Sequence, residues 1–467
     1  TDIFGYNNLG AASTITGVSS YKSENSLASF FGRANYTFSD KYLLTFTVRA
    51  DGSSRFGEDN RWGVFPSGSF AWRVINESFM ENQKMFSDLK FRIGYGKTGN
   101  ERIGNYASYG LVSNASYTFN GEQNSSGTYL NNTSPENSKL KWETTDQYNV
   151  GVDFGFFNNR LKFNLDGYYK ETKNLLIRTN LPLYTGYRSG LNNVGAIENK
   201  GFEFGVESKN FVKENFTWST LLNFAVNRNK VKSLGGQSEI LLTSSKPVGN
   251  VSEEAYAIIR EEEPLGSLFG YKYVGVLQQG ETYAAQPNSV AGDPLFEDVN
   301  GDGIISSADR TIIGNASPDV TFGFTNNFTY KDFDFSVFIY GNAGNDLLNM
   351  SRMNLEWNRT QESLNRWTPQ NTDTDLPRNG FYYSQYGGYV NNHFIEDASF
   401  IRLRNLTVGY TLPLESESIR SIRLYLMGEN LFTITSYSGW VPEVDTKGYE
   451  NNNGISSGGN QQAANAG

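Results

Sequence analysis

The sequence predicts an all-β chain, about twelve strands of a larger antiparallel up-and-down transmembrane β-barrel with long extracellular loops, and three observations carry that prediction. Apolar side chains recur with period two, the spacing that puts successive residues on opposite faces of a strand. Connections alternate between tight turns and long loops, the asymmetry of a barrel with short turns on one side of a membrane and long loops on the other. Aromatics make up 15% of the 467 residues, and 48 Gly stand against 12 Pro, a mix that suits strands, turns and aromatic girdles.

The first strands read from Leu27 to Phe38 and, after a turn at Ser39-Asp40, from Tyr42 to Asp51 with Leu44, Phe46 and Val48 on one face. A loop from Gly52 to Asn60 leads to a strand around Trp62 to Val74. A connection from Asn76 to Ser87 then leads to a strand that aligns Phe91, Ile93 and Tyr95. The polar segment from Thr98 to Lys141 delivers the clearest hairpin. In it Val150, Val152 and Phe154 alternate with Gly151 and Asp153, the chain turns at Asn158-Asn159, and Leu161, Phe163 and Leu165 return opposite Lys162, Asn164 and Asp166. The pattern assigns the apolar set to lipid and the polar set to the lumen.

Phe202, Phe204 and Val206 continue the series, turning at Lys213-Glu214 into Leu222, Phe224 and Val226. Residues 231–317 carry no comparable alternation and read as a long extracellular loop. Phe322 and Phe324 turn at Lys331-Asp332 into Phe333, Phe335, Val337 and Ile339, and residues 341–398 read as a second long extracellular loop. Within it, the apolar spacing from Asn345 to Trp367 predicts a helix. Ile401 to Pro413 and Ile422 to Leu426 form the final pair before a Gly- and Asn-rich tail, so residues 1–467 are read as one barrel portion without further domains.

Composition removes whole classes of function. No run approaches the roughly 18 apolar residues of a membrane helix, and mean hydropathy is -0.50, which a strand-built membrane protein tolerates. A net charge of -9 argues against nucleic acid as a partner. The absence of cysteine excludes thiolate metal sites and cysteine nucleophiles. His393 is the single histidine and no nucleophile elbow accompanies it, so it reads as an incidental loop residue. No catalytic residues are expected, and the chain is not read as an enzyme.

Residues 298–309 fit the twelve-residue calcium loop. Asp298, Asn300 and Asp302 supply side-chain oxygens at positions one, three and five, Gly303 makes the turn at six, and the Ile304 carbonyl stands at seven. Ser306 follows at nine and Asp309 closes the loop where a longer Glu is usual. The expected cofactor is therefore calcium, in a structural role. Tyr382, Tyr383, Tyr386 and Tyr389 in the second long loop, and Trp440 in the tail, are candidate contacts for a ligand or partner, set against loop self-packing.

The runs LKWETTDQYNVGVDFGFFNNRLKFNLDGYYKETKNLLI from Leu140 to Ile177, NVGAIENKGFEFGVE at 193–207, GYKYVGVLQ at 270–278, GDPLFEDVNGDGIISSADRTIIGNASPDVTFGF at 292–324, RWTPQNTDTDLPR at 366–378, ASFIRLRNLTVGYTLP at 398–413 and RLYLMGENLFTIT at 423–435 resemble, in order, the barrel of SusC/RagA-type TonB-dependent outer-membrane transporters. The resemblance implies a barrel of roughly 22 strands in the outer membrane of a Gram-negative bacterium, of which this chain supplies the C-terminal part. The N-terminal plug, the TonB box and the last strand are then expected to lie outside it. It also implies import of oligosaccharide or peptide, energy from the TonB complex, a SusD-like lipoprotein as lid, and contact with outer-membrane lipid. Without the resemblance, the same faces and calcium loop suit a second class, a calcium-stabilised surface or secreted β-protein that binds carbohydrate or acts as an adhesin. A glycan hydrolase finds no carboxylate spacing in its favour.

Overall fold

The computed structural model describes residues 22–443, apart from 120–121, 131–134, 188, 244–254, 358–359, 381–388, 415–418 and 420. Twelve strands form one antiparallel meander. They are β1 (Leu27–Phe38), β2 (Tyr42–Ser53), β3 (Trp62–Arg73), β4 (Phe86–Asn100), β5 (Glu143–Phe156), β6 (Leu161–Lys173), β7 (Ala196–Lys213), β8 (Phe216–Ser233), β9 (Val320–Tyr330), β10 (Phe333–Ala343), β11 (Phe400–Pro413) and β12 (Ser421–Thr435). Each pairs with its predecessor, so the fold is the predicted barrel wall, open between β1 and β12 among the described residues. A soluble sandwich would divide these strands between two sheets. They do not divide, and the sandwich reading falls.

Tight turns sit at one end of the sheet. Ser39 and Asp40 both take φ 53°, and Phe157, Asn158 and Asn159 take φ 54–59°, the left-handed region that lets connections of three and four residues follow strand twist. Lys331, at φ 51°, does the same between β9 and β10.

Register divides the faces as the alternation predicts. Val152 pairs with both Phe91 and Leu165, and Leu165 pairs with Phe204, which pairs with Phe224. An apolar row therefore crosses five strands on the outer face. Phe154 stacks on Phe163 at 5.1 Å, and Phe163 on Phe204 at 6.0 Å. On β6 the apolar stretch from Leu161 to Tyr169 covers roughly 26 Å of strand at about 3.3 Å per residue, close to the height of a barrel's lipid-facing band.

The long connections read as loops in the sequence, and here the structure differs. The chain between β8 and β9 carries a four-stranded sheet of Glu239–Thr243, Ala255–Arg260, Ser267–Gly270 and Thr311–Asn315. The chain between β10 and β11 contributes the paired short strands Asp346–Leu348 and Ile395–Asp397, together with α1 (Met350–Trp357), shorter than the helical stretch expected from Asn345 to Trp367. These segments share a core containing Ile259, Leu268, Leu348, Met353 and Phe394. They form a packed lobe at the end of the sheet opposite the tight turns. A smaller core of Phe56, Leu140, Trp142 and Leu176 joins the connections that follow β2, β4 and β6.

Candidate functional site

Two surfaces can meet a solute: the lumen wall and the lobe above it. On the wall, Arg92 of β4 reaches across to β5 and β6. Its guanidinium donates to Asp153 at 2.9 and 2.7 Å and to Asp166 at 2.8 and 2.9 Å, and Lys90 adds a bridge to Asp153 at 2.7 Å. Gly151 makes this fork possible, because a Cβ there would lie 2.3 Å from Asp166 Oδ1 and 2.8 Å from Arg92 Nη2. Ser67, Ser69, Gly94 and Gly96 leave a shallow hollow of 490 Å³ beside it. Asp153 and Asp166 therefore do share the lumen face, and they are tied there by a cation that period-two reading does not single out.

The lobe holds a larger cavity of 770 Å³. Helix α1 supplies Arg352 and Glu356 one turn apart, and the Asn392–Phe394 turn supplies His393. Arg352 Nε donates to Glu356 Oε1 at 2.6 Å, and Arg352 Nη1 donates to the His393 carbonyl at 3.1 Å and to Glu396 at 3.3 Å. His393 Nε2 lies 3.0 Å from Glu356 Oε2. Ser438 Oγ donates to Glu396 at 2.8 Å and thereby ties the segment after β12 to the network.

His393 is thus not incidental. It is a half-buried partner in a charged network, and only the fold brings its neighbours to it. Beside it Tyr273 donates to the Asp375 carbonyl at 2.6 Å, and burial, reinforced by Asp375 and Glu356, pushes its phenol up from the ordinary value. Asp373 and Asp375 line the rim of the cavity, where neither carboxylate has a hydrogen bond or ion pair among the described residues.

The predicted aromatic contacts separate. Trp440 lines this cavity and is 87% exposed. Tyr389 packs instead on Tyr271, with ring centres 4.0 Å apart and planes within 7°, against Phe296 in the lobe's own interior. Tyr382, Tyr383 and Tyr386 lie outside the described residues.

In the loop at 298–309 the acidic side chains serve the backbone. Asp298 accepts from Gly301 and Gly303 N–H at 2.8 Å each, Asn300 Oδ1 accepts from Asp302 N–H at 2.8 Å, and Asp302 Oδ1 accepts from Ile304 N–H at 2.9 Å. Gly303 takes φ 84°, as position six requires. The fit to a cation is divided. Asp298, Asn300 and Asp302 gather on one exposed turn, but Asp309 is fully buried, with its two oxygens accepting from Val299 at 3.0 Å and Ser306 at 2.7 Å. Ser306 caps the short helical turn with Asp309 as its reciprocal partner. No three acidic or histidine side chains converge on a metal position among the described residues.

A family model described as TonB dependent receptor-like, beta-barrel matches residues 1–431. The chain belongs to this family, and within it to the SusC/RagA type. It is 38% identical over 463 residues to TonB-dependent receptor P3 of Formosa agariphila, covering 97% of this chain and 45% of that protein. It is 33% identical over 438 residues to TonB-dependent receptor SusC of Bacteroides thetaiotaomicron, covering 91% of this chain and 42% of that one. The structure of the RagAB peptide transporter superposes with a TM-score of 0.76 at 28% identity, over 93% of this chain and 47% of that one. The chain therefore spans under half the length of the receptors it matches. As a TonB-dependent receptor barrel it is an outer-membrane protein, with the tight turns at its periplasmic end and the lobe outside. No helix among the described residues is long and apolar enough to cross a membrane.

Proposed function

We propose that this chain supplies barrel wall and extracellular vestibule to an outer-membrane importer of oligomeric nutrients, glycans or peptides, driven through TonB and closed by a SusD-like lipoprotein lid. The observation that carries the reading is the 770 Å³ cavity in the extracellular lobe, with Trp440 exposed at its edge and carboxylates at its rim. An exposed indole offers a flat apolar face to a sugar ring or a peptide side chain, and nearby carboxylates accept hydroxyl or amide protons. Arg352, Glu356 and His393 hold the cavity wall in shape without reacting, which suits binding and release. The small, polar lumen wall around Arg92 gives a released solute a wetted path, in keeping with a transporter family and not with turnover. RagAB is by name a peptide transporter; in this chain the same cavity accepts either class.

The test is uptake of labelled oligomers by cells carrying the full-length receptor. Trp440→Ala is expected to lower uptake at limiting substrate about tenfold, equivalent to about 1.4 kcal/mol of affinity, with the receptor's abundance in the outer membrane unchanged. Wild-type uptake by that variant for every oligosaccharide and peptide tried would remove the cavity from the import path.

The loop at 298–309 is proposed as a structural calcium loop, with Asp298, Asn300, Asp302 and the Ile304 carbonyl as the holding set and Ser306 and Asp309 serving the backbone. Spacing and the turn at Gly303 support this reading, in which calcium would neutralise the exposed acids and stiffen the loop. Calorimetric titration of the chelator-treated, full-length receptor is expected to show one uptake event that Asp298→Ala removes. A flat titration would end the proposal.

A further inference from the structure

The lipid-facing surface carries a notch on the extracellular side of its apolar band. Register places Val150, Gly167, Phe202 and Val226 in one row across β5 to β8. Gly167 leaves this row without a side chain, and a Cβ built there meets nothing within 4 Å. Adjacent strands lie about 4.8 Å apart, so the gap between the flanking Val150 and Phe202 is roughly 10 Å wide. The resulting hollow has a volume of 560 Å³. Its walls are apolar and open, with Val150 62% and Phe202 44% exposed.

The next row toward the outside is Tyr148, Tyr169 and Lys200. Tyrosine rings at this level mark the boundary between acyl chains and headgroups. The Lys200 side chain is 65% exposed, and its nearest carboxylate, Glu198, stands at 3.8 Å. Further along the same rows Lys97, Lys173 and Lys232 face outward, so with Lys200 and Arg228 the bases still outnumber the acids Asp146, Glu171, Glu198 and Asp319, the last of which is paired with Arg228 at 2.9 Å. Lys97 has no ion pair among the described residues. An apolar slot capped by tyrosine and an exposed ammonium is complementary to a lipid with a phosphate next to its acyl chains.

We infer that this notch is a specific lipid site. It seats one acyl chain of a phosphorylated glycolipid of the outer leaflet over Gly167, and Lys200 holds the phosphate. The leaflet follows from the notch lying at the lobe end of the sheet, where an outer membrane presents phosphorylated glycolipid and not glycerophospholipid. The inference depends on the outer-membrane placement and is independent of what the receptor imports.

The experiment is native mass spectrometry of the full-length receptor extracted in mild detergent, with total phosphate measured on the same sample. Wild-type receptor is expected to retain about one phosphorylated glycolipid at this surface, in line with a single charged anchor. Gly167→Leu, whose Cβ meets nothing within 4 Å and whose side chain extends into the slot, should abolish that retention. Lys200→Gln should lower it about fivefold, the worth of one lysine against an anionic lipid surface. Ala34→Leu, on the outer face of β1, should leave it unchanged. Heat-modifiable migration identifies folded receptor, and if Gly167→Leu does not fold, Lys200→Gln carries the test. Unaltered retention in the folded variants, or glycerophospholipid retained in place of the glycolipid, would overturn the inference.

Discussion

Arg92 shows how much one side chain can organise in a barrel wall. It satisfies Asp153 and Asp166 together, and both carboxylates are only about one-fifth exposed. Arg92→Met would leave two like charges side by side. The expected loss is about 1–2 kcal/mol, below the ~3–5 kcal/mol of a fully buried pair because the lumen is wet, read as a lower unfolding temperature of the refolded receptor. Glu77 acts similarly at the periplasmic end. Tyr42, Trp72 and Lys41 donate to it at 2.7, 2.9 and 2.9 Å and hold its carboxyl at about 2, against an ordinary 4.5. Its folded value is the lower one, so the stability it gives is present above about 4.5 and is lost as pH falls toward 2. Glu77→Gln should melt below wild type at pH 7 and match it near pH 2. Gly151, Asp153 and Asp166 are legible as lumen residues from alternation, whereas their cation is not, since Arg92 lies some sixty residues earlier in sequence and only register brings it across.

At the scale of elements, the barrel strands are readable because one face meets lipid and the other water. The lobe strands lack that contrast. Ala255–Arg260 is buried at every position but the last and Ser267–Gly270 throughout, so neither shows a period of two. Residues 231–317 therefore read as loop, although β8 runs on to Ser233 and the described residues beyond it include the four-stranded sheet. The candidate site is hidden in the same way: Trp440 is visible as an exposed aromatic, but His393, Glu356 and Arg352 carry no motif and meet only in the fold. Phe296, fully buried against the stacked pair of Tyr271 and Tyr389, anchors the lobe. Phe296→Ala should cost about 3–5 kcal/mol and open the lobe to protease while the barrel stays heat-modifiable. Asp346 gives the lobe a pH response of opposite sign to that of Glu77. Burial raises its carboxyl above the ordinary value despite the N–H of Asn315 at 3.0 Å. The lobe therefore loses stability as pH rises through that raised value, and Asp346→Asn should protect it from protease at pH 7 but not at acid pH.

At the scale of the whole molecule, sequence and structure agree on a wall with one dry and one wet face that ends in short turns on one side; on the other, where the sequence reads long loops, the structure has a folded lobe. The rows from Trp72 through Phe91 and Val152 to Phe224 make sense only if lipid covers them, since exposed apolar surface of this extent would aggregate in water. The lobe then stands outside the cell, where its cavity meets solutes first. This chain carries no cysteine, so a thiol introduced into it is unique within these 467 residues. The decisive measurement is the labelling of single-cysteine variants of the full-length receptor in outer membranes, by a lipid-soluble and by a water-soluble thiol reagent. Cysteine at Val152 or Phe163 should react with the lipid-soluble reagent alone, and cysteine at Asn164 with the water-soluble one. The reverse pattern, or equal reaction of both sets with the water-soluble reagent, would contradict the assignment of this sheet to a membrane barrel wall.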